Sequence, residues 1–239
     1  MKTFFTNSVN GNIIELTNDE HNHLKNVMRL NVGDKVKVVC GDDFNYFCVI
    51  KQINKNNSVL EVESKQVNLS NPKTNVTCYM ALIKNDNLSL VVQKLTELGI
   101  SNFVPFESHY TVNKDKGSKE NKLNVISQQS LKQCGRSKPL NIYPTQKLLN
   151  LSEMLSKHDL IIFANESETT YKLNDVLSKN KSAKNIAYVI GCEGGFDNLE
   201  TDFLIKNGAK SVTLGSRILR AETAAIMLGA IILNNFEEF

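Results

Sequence analysis

Residues 214–232 read LGSRILRAETAAIMLGAII. Leu214-Gly215 closes a strand-like run, Ser216–Arg220 is a polar connector, and an almost purely apolar segment follows. The chain carries 28 Lys+Arg, and the arginines among them are Arg29, Arg136, Arg217 and Arg220. A lysine-rich protein thus places half its arginines in one four-residue window. Arginine offers a rigid, permanently charged fork suited to carboxylate, phosphate or a nucleobase edge. Glu222 follows in what reads as the first turn of a helix over 221–235, where the helix dipole favours a negative charge. The stretch therefore reads as a strand, a charged turn and a buried helix. In an open α/β sheet, ligands sit beyond the carboxyl ends of the strands, where this turn falls.

The segments upstream repeat that unit. VTCYMALI (76–83), NFVPF (102–106), LIIFA (160–164), IAYVIG (186–191) and VTLG (212–215) are strand-like. Between them, 87–99 places Leu88, Val91, Val92, Leu95 and Leu98 on one helical face, with Asn87 as its expected cap and Gly99 as its stop. Residues 120–135 form a polar helix. Asp197 caps another helix, with Glu200 at the capping-box position and Gly208 closing it. Continuous apolar strands alternating with helices predict an α/β fold, a mostly parallel sheet covered on both faces. Residues 1–70 have a different rhythm. One helix-like segment near 19–28 is followed by short strands at 35–40, 45–53 and 58–64, punctuated by Gly33-Asp34 and Gly41-Asp42-Asp43, which suggests a small barrel. The polar stretch NLSNPKTN (68–75) reads as a linker between domains 1–70 and 75–239, and NKDKGSKENK (113–122) as a charged, mobile loop.

The bulk numbers set bounds. A chain of 239 residues with net charge +3 and pI near 8.5 is compatible with RNA as a partner. Five scattered cysteines without a CxxC argue against a disulfide framework or zinc site and for a reducing compartment. No signal-peptide core precedes the first domain, and the longest apolar run, Ala224 to Leu233, is too short to span a bilayer. These features predict a cytoplasmic protein without membrane or metal partners. His21 and His23 have no third ligand near them in sequence.

A second strand end also carries unusual sequence, VIGCEGGFDN (189–198). Gly194 and Gly195 are expected to allow positive φ and close approach of a ligand to the backbone. The glycine spacing at 191, 194 and 195 is neither a dinucleotide-binding G-x-G-x-x-G nor a P-loop. In the first domain His23 and Arg29 share a helical face region, and Arg136, after Cys134-Gly135, serves either to bind phosphate or to complement a helix C-terminus. Lys84 follows an apolar strand toward the cleft. Lys94 and Glu97 read as a solvated face.

IGCEGGF followed by TLGSRILRAETAA resembles the RsmE family, ribosomal RNA methyltransferases of the SPOUT superfamily that methylate N3 of a uridine in 16S RNA. ALIKNDNLSLVVQKLTELGISNFVPF (81–106), QQSLKQCGRSKP (128–139) and HLKNVMRLNVGDKV (23–36) resemble further family segments in the same order, so the likeness runs over nearly the whole chain. It implies a trefoil-knotted C-terminal domain binding S-adenosylmethionine, an N-terminal PUA-like barrel that helps hold RNA, and a homodimer whose partner completes each active site. On that basis the cofactor site comprises Ile190, Gly191, Gly194, Gly195, Leu214, Gly215, Ile218, Leu219 and Thr223. Arg220 stabilises charge developing on the uracil oxygens. Glu222 either orients an arginine or accepts a proton. Glu193 is base, orienter or merely a capping carboxylate. His23, Arg29, Lys84, Arg136 and Arg217 contact the RNA, either 16S rRNA or the assembled small subunit. Competing readings are another SPOUT RNA methyltransferase and a non-catalytic RNA-binding assembly factor. Three departures stand out. Cys192 replaces the usual proline before EGG, Ser108-His109-Tyr110 replaces S-E-R, and Lys2-Thr3 precede Phe4-Phe5.

Overall fold

The computed structural model describes residues 1–7, 9–112, 114 and 119–236. The chain forms two units, Met1–Asn71 with Gln128–Pro139, and Pro72–Ser127 with Leu140–Phe239. The charged loop expected over 113–122 lies partly outside the described residues.

The first unit is a five-stranded sheet of β1 (Thr3–Phe5), β2 (Ile13–Thr17), β3 (Lys35–Val39), β4 (Phe44–Ile53) and β5 (Asn57–Val67), in the order β1-β3-β4-β5-β2. β1 runs parallel to β3, and the other pairs are antiparallel. Alternation decides which side chains turn inward. Val36 and Val38 are buried on either side of Lys37 on β3, and Ile14 and Leu16 between exposed residues on β2. Phe4 from one edge strand and Ile14 and Leu16 from the other lie in a single core with Leu24, Ile50 and Leu60, so the sheet curls around its own interior. Phe5 points to the opposite face and packs with Val39 and Leu131.

The helix expected near 19–28 begins as α1 (Asn18–Asn22) and widens into a π turn over His23–Val27, where the Met28 N–H reaches back to His23 O at 2.8 Å. Arg29 follows at φ 52, an uncommon conformation for a side-chain-bearing residue.

The second unit holds β6 (Asn75–Ala81), β7 (Asn102–Glu107), β8 (Asn141–Ile142), β9 (Gln146–Lys147), β10 (Leu160–Ala164), β11 (Asn185–Ile190) and β12 (Lys210–Val212). Their order is β12-β10-β11-β6-β7-β8, with β9 also on β7, and every pair is parallel. The central strands are mostly apolar and buried, Val76–Ala81 on β6 and Ile186–Ile190 on β11 being buried throughout, with Thr77 the polar residue among them. Pro105 has no N–H to give the ladder, and it falls where the neighbouring strand is split into β8 and β9. The last strand is shorter and earlier than the expected 212–215. Pairing with β10 ends at Val212, and Thr213 turns to bridge Lys172 instead.

Asparagine opens four adjacent strands of this sheet. Asn75 donates to Asn185 at 3.1 Å, Asn102 to Asn75 at 2.9 Å, and Asn141 to Asn102 at 3.3 Å. The two middle side chains, Asn75 and Asn102, both give and take along the row, which suits a residue with both donor and acceptor atoms.

The helices are α2 (Asn85–Leu98), α3 (Lys119–Cys134), α4 (Ser152–Leu155), α5 (Leu173–Ser178), α6 (Asn198–Lys206) and α7 (Ala221–Asn235). α7 buries Ala221, Ala224, Ala225, Leu228, Gly229, Ile232 and Leu233, a three-four stripe. Gly229 is needed there because a Cβ would come within 2.8 Å of the Tyr188 hydroxyl, which donates to Ala225 O at 3.1 Å. α6 carries the expected capping box, with Asp197 accepting from the Glu200 N–H at 2.7 Å and Glu200 accepting from the Asp197 N–H at 3.1 Å. Gly99 ends α2 at φ 109 as expected. Asn87 does not cap this helix. The helix starts two residues earlier, after Lys84.

Just before β10, the His158 ring packs edge-on against Tyr79 of β6 with Nε2 2.9 Å from the phenol oxygen. Its buried Nδ1 has no hydrogen-bond partner among the described residues. Burial holds the ring below the ordinary histidine value near 6.5, with Asp159 acting in the opposite sense. As pH falls the unfolded chain therefore binds the proton first, and folding stability declines from about pH 6.5 down to the folded value. His158→Gln keeps a polar partner for Tyr79 and removes the titration. Urea unfolding is expected to show a smaller loss of stability between about pH 7 and about pH 5 in this variant than in the wild type. An equal loss overturns the assignment.

Candidate active site

Because β10, β11 and β12 are parallel, their carboxyl ends lie along one edge of the sheet. The two unusual turns do not end neighbouring strands, since β10 stands between β11 and β12. The turns after Ile190 and Val212 are thus separated by the width of two strand spacings, about 10 Å. The end of β10 contributes a third wall through Ala164 and Asn165, whose N–H donates to Val212 O at 3.1 Å. Reading LIIFA as a plain buried strand missed this wall. Its only local signal is the abrupt switch to polar NESE after Ala164.

The first turn is tightly closed. The Gly195 N–H donates to Cys192 O at 3.0 Å, and a Cβ on Gly191 would meet the Gly195 carbonyl at 3.1 Å. Gly195 is left-handed at φ 68, with nothing within 4 Å of a built Cβ. Gly194, expected to share that conformation, does not. It is glycine because Tyr110 lies on it, with Tyr110 Cβ 2.8 Å from where a Gly194 Cβ would stand. The close approach at this position comes from the chain itself. Ser108 Oγ is 3.5 Å from the buried Sγ of Cys192, the residue that stands in place of the usual proline before EGG. Glu193 is exposed and has no hydrogen-bond or ion-pair partner among the described residues. The capping carboxylate of this segment is Asp197, with Glu200 completing the box.

The second turn is open. Gly215 sits at φ 108 with nothing within 4 Å of a built Cβ, and its N–H donates to Thr213 Oγ1 at 3.2 Å. Leu214 and Leu219 are half-buried against the core, while Ile218 is 81% exposed, an unusual position for so large an apolar side chain. Arg217, Arg220 and Thr223 are exposed. Among the described residues neither arginine forms an ion pair, so Glu222 does not hold one of them. Asn87 of α2 holds Glu222 instead, donating to Oε1 at 3.1 Å. This contact was invisible in sequence because it joins residues 135 apart.

The other candidates scatter. Lys84 is exposed at the start of α2. His23 and Arg29 sit on the irregular segment of the first unit, His23 edge-on to Phe4 with ring centroids 5.8 Å apart. His21 uses both ring nitrogens, at 2.8 Å to Ser58 Oγ and 3.2 Å to Lys55 O, which gives it a structural role. Arg136 is not a surface cation. It is 3% exposed, and burial lowers its pKa to about 10. Among the described residues, no group of three or more His, Cys, Asp or Glu is placed to hold a metal ion, and no helix is long and apolar enough to cross a membrane.

A family model described as an RNA methyltransferase domain matches residues 70–233, and one described as an RNA methyltransferase PUA domain matches residues 16–63. The ribosomal RNA small subunit methyltransferase E of Rickettsia conorii is 33% identical over 216 residues, covering 89% of this chain and 86% of the relative. The chain belongs to this methyltransferase family. The enzyme of the same name from Mesomycoplasma hyopneumoniae is 32% identical over 229 residues, 95% of this chain and 97% of its own. Among solved structures, a ribosomal RNA small subunit methyltransferase E from Neisseria gonorrhoeae bound to S-adenosyl methionine superposes with a TM-score of 0.85 at 22% identity, over 98% of this chain and 97% of that one. Family membership makes the chain an RNA methyltransferase with a PUA domain, and the structural likeness extends to the SPOUT-type α/β fold.

Proposed function

We propose that this protein transfers a methyl group from S-adenosylmethionine to N3 of a uridine in 16S ribosomal RNA, in the cytoplasm. The observation that carries this reading is the placement, along one sheet edge, of a closed glycine turn, an open glycine turn and two arginines that form no ion pair among the described residues. The bare backbone at Gly195 and Gly215 leaves room for a nucleoside to approach the main chain, and Ile218, Leu219 and Leu214 offer apolar surface for an adenine. That arrangement fits S-adenosylmethionine, which supplies a methyl group on a sulfonium. Ile190, Gly191, Gly194, Gly195, Leu214, Gly215, Ile218, Leu219 and Thr223 are assigned to hold it.

The chain's own residues then have to manage charge. Removing the N3 proton places negative charge on O2 and O4 of the uracil. The Arg220 guanidinium, unencumbered by a carboxylate, stabilises that charge, and preorganised donors of this kind are among the largest contributions to catalysis. Glu222, oriented by Asn87, accepts the proton, with Glu193 as the other carboxylate available. Arg217 and Lys84 grip backbone phosphates, as do His23 and Arg29 of the PUA-like unit. Arg136 is left out of this surface because it is buried. Residues 1–70 are assigned to holding RNA and 75–239 to methyl transfer. Ile226, Met227 and Ala230 on α7 are only half-buried, which supports a homodimer packed through this helix, within a knotted domain.

Nucleoside mass spectrometry of 16S RNA from a strain lacking the gene is expected to show 3-methyluridine lost and restored by the wild-type copy. Persistence of the modified nucleoside overturns the reading. Calorimetry that finds no S-adenosylmethionine binding favours a non-catalytic RNA-binding role.

A further inference from the structure

Tyr110 has no role in the mechanism above, yet its placement is unusual. It lies in the turn Ser108–Thr111, closed by the Thr111 N–H to Ser108 O at 3.1 Å and by the Ser108 N–H to Thr111 Oγ1 at 2.9 Å. The next residue back is pinned as well. The His109 N–H donates at 2.8 Å to Oε1 of the Glu200 carboxylate, which is 4% exposed and already committed to the α6 cap. On this rigid mount Tyr110 remains 48% exposed. One side of the residue rests on Gly194, so closely that no side chain fits at 194. The His109 ring supports it edge-on with centroids 4.8 Å apart, and His109 Nδ1 is itself 3.6 Å from Asp197 Oδ2. An aromatic braced on two sides and half-open to solvent at the glycine turn has the form of a stacking platform. Burial alone does not explain it, because an aromatic whose purpose is core packing would be covered.

We propose that Tyr110 is a specificity-determining residue that stacks on a base of the RNA substrate, either the target pyrimidine or its neighbour, and holds it beside the Gly191–Gly195 turn. Single-stranded bases are commonly held on aromatic faces, and the loss of one such stack weakens binding by about tenfold or more. The proposal rests on the methyltransferase reading above.

Steady-state methylation of small ribosomal subunits lacking the modification tests it, with Tyr110→Phe, Tyr110→Leu and Tyr110→Ala compared, and with S-adenosylmethionine affinity measured by calorimetry on each. Phe is expected to keep the wild-type KM for RNA. Leu and Ala are expected to raise it about tenfold, while affinity for S-adenosylmethionine stays within a few-fold in Phe and Leu. Leu covers Gly194 as well as an aromatic does but cannot stack. Wild-type behaviour in Tyr110→Leu, or a parallel fall in S-adenosylmethionine affinity, therefore shows that Tyr110 only covers the turn and overturns the proposal. A wild-type protein that neither binds S-adenosylmethionine nor methylates RNA overturns the parent reading, and this one with it.

Discussion

Arg220→Ala is expected to lower turnover by about a hundredfold or more while leaving affinity for S-adenosylmethionine within a few-fold, the scale seen when one preorganised charge-stabilising donor is lost. The structure strengthens the argument in a specific way. Arg220 occupies the residue before α7, is exposed, and has no ion-pair partner among the described residues. A guanidinium committed to Glu222 would already have spent much of its field on that carboxylate. Asn87 holds the carboxylate instead, so the cation is free to respond to charge that appears only during reaction. Arg220→Lys tests geometry against charge, because an ammonium keeps the charge but not the fork and is expected to recover only part of the activity. Single-turnover methylation under saturating S-adenosylmethionine separates these cases. Unchanged turnover in Arg220→Ala would remove it from the mechanism.

Gly191→Val is expected to abolish S-adenosylmethionine binding in calorimetry while the protein still folds. A Cβ at 191 meets the Gly195 carbonyl oxygen at 3.1 Å and two further backbone atoms of Gly195 at 3.2 Å. Main chain cannot rotate aside as a flexible side chain does, so a branched residue must open the turn that the Gly195 N–H to Cys192 O bond closes. The turn is at the end of β11, and its opening leaves the six upstream pairs of that strand with β6 intact, so the fold survives. Tight binding in this variant would place the cofactor elsewhere. Gly194→Ala makes an instructive comparison. Its Cβ collides with the Tyr110 side chain, and the expected result is a weakened hold on RNA as well as on the cofactor.

The two arginines, the glycine turns and the α6 cap were legible in sequence because each is a local matter. Arg217 and Arg220 are three residues apart, and the Asp197–Glu200 box closes over one helical turn. The Asn87–Glu222 bond was not legible, nor was the contact of Tyr110 with Gly194, since each joins segments far apart in the chain. Asn87 was misread as a cap because an asparagine near a helix start fits that role equally well; its partner lies on another helix. Arg136 looked like a surface cation because charge predicts exposure in most residues, and only packing around Gln128–Pro139 places it inside.

By itself the sequence determined the fold class, the parallel character of the larger sheet and the two glycine-bearing turns to which we assign the chemistry, because hydrophobic period, glycine and capping residues act over a few residues. Tertiary structure alone decided that β10 separates those two turns, that Asn87 orients Glu222 and that an aromatic occupies the space above Gly194. Strand order and long-range contacts depend on which surfaces can be buried together, and that choice is made by the whole core at once.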